Sequence, residues 1–308
     1  MKRFRNILFA SVGGKDDFPA LDRANRLAQA NHSRMTLVYV VEELPKAVSY
    51  FLSKRRIDDL RNGMLTSARQ HLDALTRRVD DSLKVETRVL VGTPFIELIR
   101  TVVEHSHDLI IKATQPGIKG KSLQSTDLHL LRKCPGAVWL IKSTQRKPFG
   151  KIMVAVDPDP SDADRLSLHT DLLKLGTSLA DAENGMVEIV HTWTLDGEAM
   201  LRGPRFKMAE EEIEELADQV ASTRKEWLDK LLAPYDNGKI KVTLTKGLSG
   251  PTLVEIIEKR KPDIVVMGTV ARTGLPGLLI GNTAESVLQQ ISCSVLTIKP
   301  KGFKTPVS

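Results

Sequence analysis

Short runs of branched aliphatic residues alternate with longer amphipathic stretches along almost the whole chain. Residues 6–12, 35–41, 85–90, 109–113 and 137–142 are strand-length and rich in Val, Ile and Leu, a pattern that suits strands covered on both faces. Between them, residues 21–30, 55–79 and 96–104 keep their apolar positions at helical spacing. The alternation then returns, with predicted strands at 151–156, 187–191, 240–245, 264–268 and 294–298 and a predicted long helix near 208–232 that carries a Glu-rich solvated face. Strands that alternate with helices imply right-handed crossovers and a doubly wound parallel sheet.

The second series is a diverged copy of the first. Asn6-Ile7-Leu8-Phe9-Ala10-Ser11-Val12 matches Lys151-Ile152-Met153-Val154-Ala155-Val156-Asp157, and Asp108-Leu109-Ile110-Ile111 matches Asp263-Ile264-Val265-Val266. Ala137-Val138-Trp139-Leu140-Ile141-Lys142 matches Ser294-Val295-Leu296-Thr297-Ile298-Lys299. The offset between partners drifts slowly along the chain, as loop insertions after a duplication would leave it. The chain is therefore expected to be α/β, with two tandem doubly wound five-stranded parallel-sheet domains over residues 1–143 and 149–308. A polar linker at 143–150, ending in Pro148, Phe149 and Gly150, joins them. Each copy's last strand would lie at a sheet edge with unpaired N–H and C=O groups, so the two are predicted to pair with each other as a pseudo-dimer.

Length and composition agree with this division. The chain has 308 residues, of which 41% are hydrophobic and 27% charged, an ordinary balance for two domains that each bury a core. No apolar run approaches the roughly 20 residues that span a bilayer. The basic start Met1-Lys2-Arg3 is followed by too short an apolar run for a secretion signal, so a cytoplasmic protein is expected. Cys134 and Cys293 stand outside any CxxC or His-bearing cluster and read as buried free thiols. The net charge of +7 could draw in phosphates or acidic partners, but aromatic residues are only 5% of the chain. Few stacking platforms are available, and direct nucleic-acid binding is not expected. His105 and His107 are predicted on a solvated loop, His129 on a helix, and His191 at a strand end in a structural role.

Ligands of open α/β sheets bind beyond the carboxyl ends of the strands. The segment after the fourth strand of the second copy runs from Gly268 through Ala271, Arg272, Gly274 and Gly277 to Gly281-Asn282-Thr283-Ala284-Glu285. Glycines there allow positive φ and close approach to an anion, and Asn282-Thr283 reads as the cap region of a helix whose N–H groups and partial positive charge would face a phosphate. On these residues the chain resembles the universal stress protein family, whose ATP-binding members carry G-x2-G-x9-G followed by a small polar residue at this place. Gly268 and Gly281 match that pattern, and Ala271 stands where the family has its second glycine. The resemblance extends over nearly the whole chain and is to the family's tandem members. It implies a fold of the adenine nucleotide alpha hydrolase type, which is Rossmann-like, and dimerisation through the last strand.

The resemblance also implies a site. An aspartate closing the first strand meets the adenosine end of the ligand in ATP-binding members, and Asp157 holds that position. Thr192, Met267, Gly268, Ala271, Arg272, Gly281, Asn282 and Thr283 complete the implied nucleotide contacts, with ATP or AMP as ligand and magnesium accompanying ATP. The first copy has Val12, Ala113, Pro116, Gln124 and Ser125 at the corresponding places and is not expected to bind ATP in the family's manner. Each assignment has a plainer alternative: Asp157 as the cap of a turn before Pro158-Asp159-Pro160, and residues 268–281 as a flexible connection.

No Walker-type loop is present, Gly120-Lys121-Ser122 lacks the preceding glycine, and no base or metal ligand gathers near the proposed γ-phosphate. No catalytic residue is therefore assigned, and hydrolysis is expected to be slow at most. The function implied is stress-response regulation by adenine nucleotide held in the second copy, acting on an unknown protein partner, with a homodimer of whole chains also open. Two alternatives stand beside it: a binding protein for another small or lipid-like ligand, with an apolar pocket in the first copy, and an interaction module without nucleotide.

Overall fold

A computed structural model of the chain describes residues 4–114, 123–142, 148–235, 240–270 and 280–307. These residues divide into two compact units: 1–147 together with 294–308, and 148–293.

The first unit runs β1 (Asn6–Ser11), α1 (Asp17–Asn31), β2 (Arg34–Val41), α2 (Lys46–Phe51), α3 (Lys54–Thr76), β3 (Val85–Val91), α4 (Pro94–Glu104), β4 (Leu109–Thr114), α5 (Ser125–Lys133) and β5 (Ala137–Lys142). The strands lie in the order β3-β2-β1-β4-β5, each parallel to its neighbours. β1, β4 and β5 are buried almost end to end, as their continuous apolar runs require. β3 departs from that expectation, because it is the sheet's edge and none of its residues is buried. The helices bury one stripe each: Ala20, Leu21, Ala24 and Ala28 of α1, and Leu98, Ile99 and Val102 of α4, the spacing that a single core-facing face needs. Pro94 opens α4 at its first turn, where its missing N–H costs nothing.

The second unit repeats the series as β6 (Lys151–Ala155), α6 (Ala163–Glu183), β7 (Met186–Trp193), α7 (Glu198–Leu201), α8 (Glu210–Leu232), β8 (Ile240–Lys246), α9 (Ser249–Arg260), β9 (Ile264–Gly268) and α10 (Asn282–Gln290). The order is β9-β6-β7-β8, again parallel. Asp162 caps α6 by accepting from the Arg165 N–H at 3.0 Å, and Asn184 ends it in the left-handed region at φ 53°.

The last strand, β10 (Ser294–Ile298), is packed with the first unit. It pairs antiparallel with β5, with Val295 opposite Leu140, Leu296 opposite Trp139 and Thr297 opposite Val138. The predicted pairing of the two terminal strands is present, and the β5 edge is covered. Ser294 Oγ also accepts from the Lys142 N–H at 3.1 Å. Most of the expected linker and the Gly120-Lys121-Ser122 run lie outside the described residues, while Phe149 and Gly150 are within them and Phe149 is fully buried.

Both cysteines are buried and free, and burial pushes the Cys134 thiol up to about 12. His107 corrects the expectation of a solvated loop. It is buried, with Nδ1 against the Thr101 carbonyl and Nε2 against Thr36 Oγ1, both at 3.1 Å, and desolvation lowers its pKa. His129 lies on α5 stacked on Phe95.

Candidate nucleotide site in the second unit

Strand register brings the expected residues together. Val154 pairs with Val266 and Ala155 with Val190, so Asp157 and Thr269, just past β6 and β9, lie level with Thr192 near the carboxyl end of β7. The chain returns to this level at Gly281, whose N–H donates to the Thr269 carbonyl at 2.7 Å. That bond sets the start of α10 beside the end of β9. Met267 is buried in the sheet, Gly268 and Gly281 are half-buried, and Asn282 and Thr283 are exposed on the first turn of α10. Ala271 and Arg272 lie outside the described residues.

Two local expectations change. Asn282 and Thr283 do not cap α10: they are its first two helical residues, and Gly281, which has no side chain, occupies the cap position in extended backbone. Nor do Gly268 and Gly281 serve through positive φ. Gly281 has φ −78°, and a Cβ on it would meet the Thr269 carbonyl oxygen at an ordinary 3.6 Å. At Gly268 space is tight, since a Cβ there would stand 3.1 Å from the Leu168 side chain of α6.

Asp157 is half exposed and ion-paired with Arg165, whose guanidinium also reaches Asp159 at 3.2 Å. Ser161 and Arg165 hold the Asp159 carboxyl below its ordinary range, the Ser161 hydroxyl contributing most. The Asp157 N–H donates to His169 Nδ1 at 3.3 Å, which fixes the neutral ring with its proton on Nε2. Burial drives the His169 pKa down to about 4. His191 is the second buried ring. Its Nδ1 donates to the Val156 carbonyl at 3.0 Å, so Nε2 carries a lone pair that has no hydrogen-bond partner. Desolvation lowers the His191 pKa against the pull of Asp157, so the 3.9 Å separation between the two side chains is no ion pair at neutral pH.

Arg165 and His169 were not anticipated as site residues. Their signal was present: Asp162 is a strong helix cap, and Arg165 and His169 stand one turn apart on the helix that it starts, directly after the strand ending near Asp157. Among the described residues, no group of three His, Cys, Asp or Glu side chains is arranged to hold a metal.

The first unit builds the same place differently. By alignment Lys112 replaces Met267 and Asp127 replaces Ala284. Lys112 Nζ lies 2.8 Å from Asp127 Oδ1, Thr114 Oγ1 bonds the other carboxylate oxygen, and all three side chains are buried. A buried carboxylate bonded to Lys112 and Thr114 thus stands in the first turn of α5, where the second unit has Ala284.

The profile of the Universal stress protein family matches residues 3–142 and again 148–299. The chain is 27% identical to Universal stress protein E of Salmonella typhi over 313 residues, and 28% identical to that of Photorhabdus laumondii over 317; in each case the match covers 100% of this chain and 98% of the relative. Among solved structures, a functionally unknown protein from Pseudomonas aeruginosa PAO1 superposes with a TM-score of 0.71 at 23% identity, covering 97% of this chain and 94% of its own. A universal stress protein from Archaeoglobus fulgidus superposes with a TM-score of 0.61 at 16% identity, covering 96% and 98%. With one complete family match in each half of a duplicated α/β fold, the chain belongs to the universal stress protein family as a tandem member.

Proposed function

We propose that the protein is a stress-response regulator that binds adenine nucleotide in its second unit and not in its first. The observation that carries this reading is the convergence of Asp157, Thr192, Thr269 and the glycine-capped start of α10 at one level at the carboxyl ends of β6, β7 and β9. Helix N–H groups without a side-chain cap favour a phosphate, and the half-exposed Asp157 carboxylate, steadied by Arg165, can accept from a ribose or base. Magnesium, if carried in, would be held mainly by phosphate oxygens, since the described side chains form no metal cluster. In this reading the ligand acts by occupancy, and any partner protein responds to the bound state.

Calorimetry of the full chain with ATP and AMP tests this. Gly281→Val should weaken binding by at least about tenfold by placing a branched side chain at the phosphate approach, and the ordinary contact at that position predicts little loss of fold. Asp157→Ala should weaken AMP and ATP alike. Unchanged affinity in both folded variants removes this site from consideration.

A further inference from the structure

The peptide that carries Asp157 is held on both sides by imidazole rings. Its carbonyl, which belongs to Val156, accepts from His191 Nδ1 at 3.0 Å, and its N–H, which belongs to Asp157, donates to His169 Nδ1 at 3.3 Å. The rings come from different elements, His191 from β7 and His169 from α6, and both are buried. One ring donates and the other accepts. The pair therefore works only when both are neutral and in opposite tautomers, His191 protonated on Nδ1 and His169 on Nε2. Of the charged groups around them, Asp157 and Asp162 pull toward protonation and Arg165 and Arg224 oppose it, while burial has the largest effect and favours the neutral rings.

The place of this peptide gives the clamp its consequence. The Val156 N–H still joins the sheet, donating to the Val190 carbonyl at 3.0 Å, whereas the next peptide lies past the end of β6. A backbone at a strand end is free to turn its peptide plane and carry the following side chain with it. Arg165, one turn before His169 on α6, holds the carboxylate of the same residue. Backbone and side chain of Asp157 are thus both tied to one helix. In the first unit the N–H at the corresponding place, that of Val12, donates instead to the buried Asp17 carboxylate at 3.0 Å.

We infer that His169 and His191 are positioning residues for a nucleoside: by clamping the Val156–Asp157 peptide they aim the half-exposed Asp157 carboxylate at the hydroxyl or amino donors of the ligand's nucleoside end. The inference rests on the nucleotide reading above. Neither ring has to touch the ligand.

Calorimetry of the full chain with AMP tests it through a double-mutant cycle. His169→Leu and His191→Leu each remove one bond of the clamp and should weaken AMP about tenfold. His169→Asn and His191→Asn should stay within about twofold of the native chain, because an amide offers oxygen or N–H at the place of Nδ1. Once Asp157→Ala is present, neither leucine change should weaken AMP further. Nitrogen NMR of the histidine-labelled native chain depends on no leucine variant folding, and at neutral pH it should show the two rings as opposite neutral tautomers, each assigned through its Asn variant. Folded leucine variants that bind AMP like the native chain overturn the inference and leave the nucleotide reading intact. So does a loss that persists undiminished beside Asp157→Ala, a failure of Asn to restore affinity, or a spectrum in which the rings share one tautomer or are protonated. If the native chain binds no AMP, the nucleotide reading fails and the inference falls with it.

Discussion

The imidazole of His169 is held neutral by its surroundings, and that has a consequence for stability. Its pKa falls from an ordinary 6.5 to about 4 in the folded protein because burial penalises the charged ring. Between those values the unfolded chain binds a proton that the folded chain refuses. Stability is therefore complete above about pH 6.5 and declines by roughly 1.4 kcal/mol per pH unit as the pH drops toward 4. Urea unfolding at pH 7.5, 6 and 5 should show this decline, and His169→Asn should make the slope shallower. Some slope should persist, because burial also lowers His107 and His191. None of this was legible one residue at a time. His107 reads as a loop residue from its neighbours Ser106 and Asp108, and only the packing of α4 against β2 encloses it. Asp157 was legible as a strand-terminal carboxylate, whereas its partner Arg165 lies on the following helix and is brought to it by the fold.

At the level of elements, α6 approaches β6 closely in the second unit. A Cβ on Gly176 would lie 2.3 Å from Val154 Cγ2, so the helix can rest on the strand only because no side chain intervenes. Gly176→Leu should force the two apart and cost about 1–3 kcal/mol, read as a lower urea midpoint. Since α6 carries Arg165 and His169, the same change should also weaken nucleotide binding. The periodicity of the sequence located every strand of both copies, because strands buried on two faces leave continuous apolar runs. It misplaced ends by a residue or two, did not predict α2 or α7 as elements, and overstated the burial of β3 and β8. Those two are half-exposed strands, and whether an apolar run is an edge depends on strand order rather than on composition.

For the molecule as a whole, the important feature is that β10 completes the first unit. Val138 and Val295 are each 1% exposed in the β5–β10 pair. Val138→Asp together with Val295→Asp would bury two unpaired carboxylates, each costing several kcal/mol, and should uncover the β5 edge. Tryptophan fluorescence in urea, with Trp139 in that strand, should report a markedly earlier transition, and light scattering should report self-association through the freed edge. An unchanged midpoint and a monodisperse chain would mean that this pairing contributes little. A break placed between residues 147 and 148 deprives the first unit of its sixth strand, so variants of the full chain are the better instruments for assigning ligands.

The sequence by itself determined the duplication, the alternation of strand and helix, the covered terminal strands and the place after β9 where a phosphate could be met. All of these are written in local pattern: apolar runs set by two-sided burial, helical spacing set by one core face, and glycines at a strand-to-helix joint. Tertiary structure alone decided which charges meet. It set Arg165 against Asp157 and Asp159, enclosed His169 and His191, and closed Lys112 on Asp127 in the first copy. Such pairings join residues on different elements, and their strength depends on burial, which a linear pattern of charges does not specify.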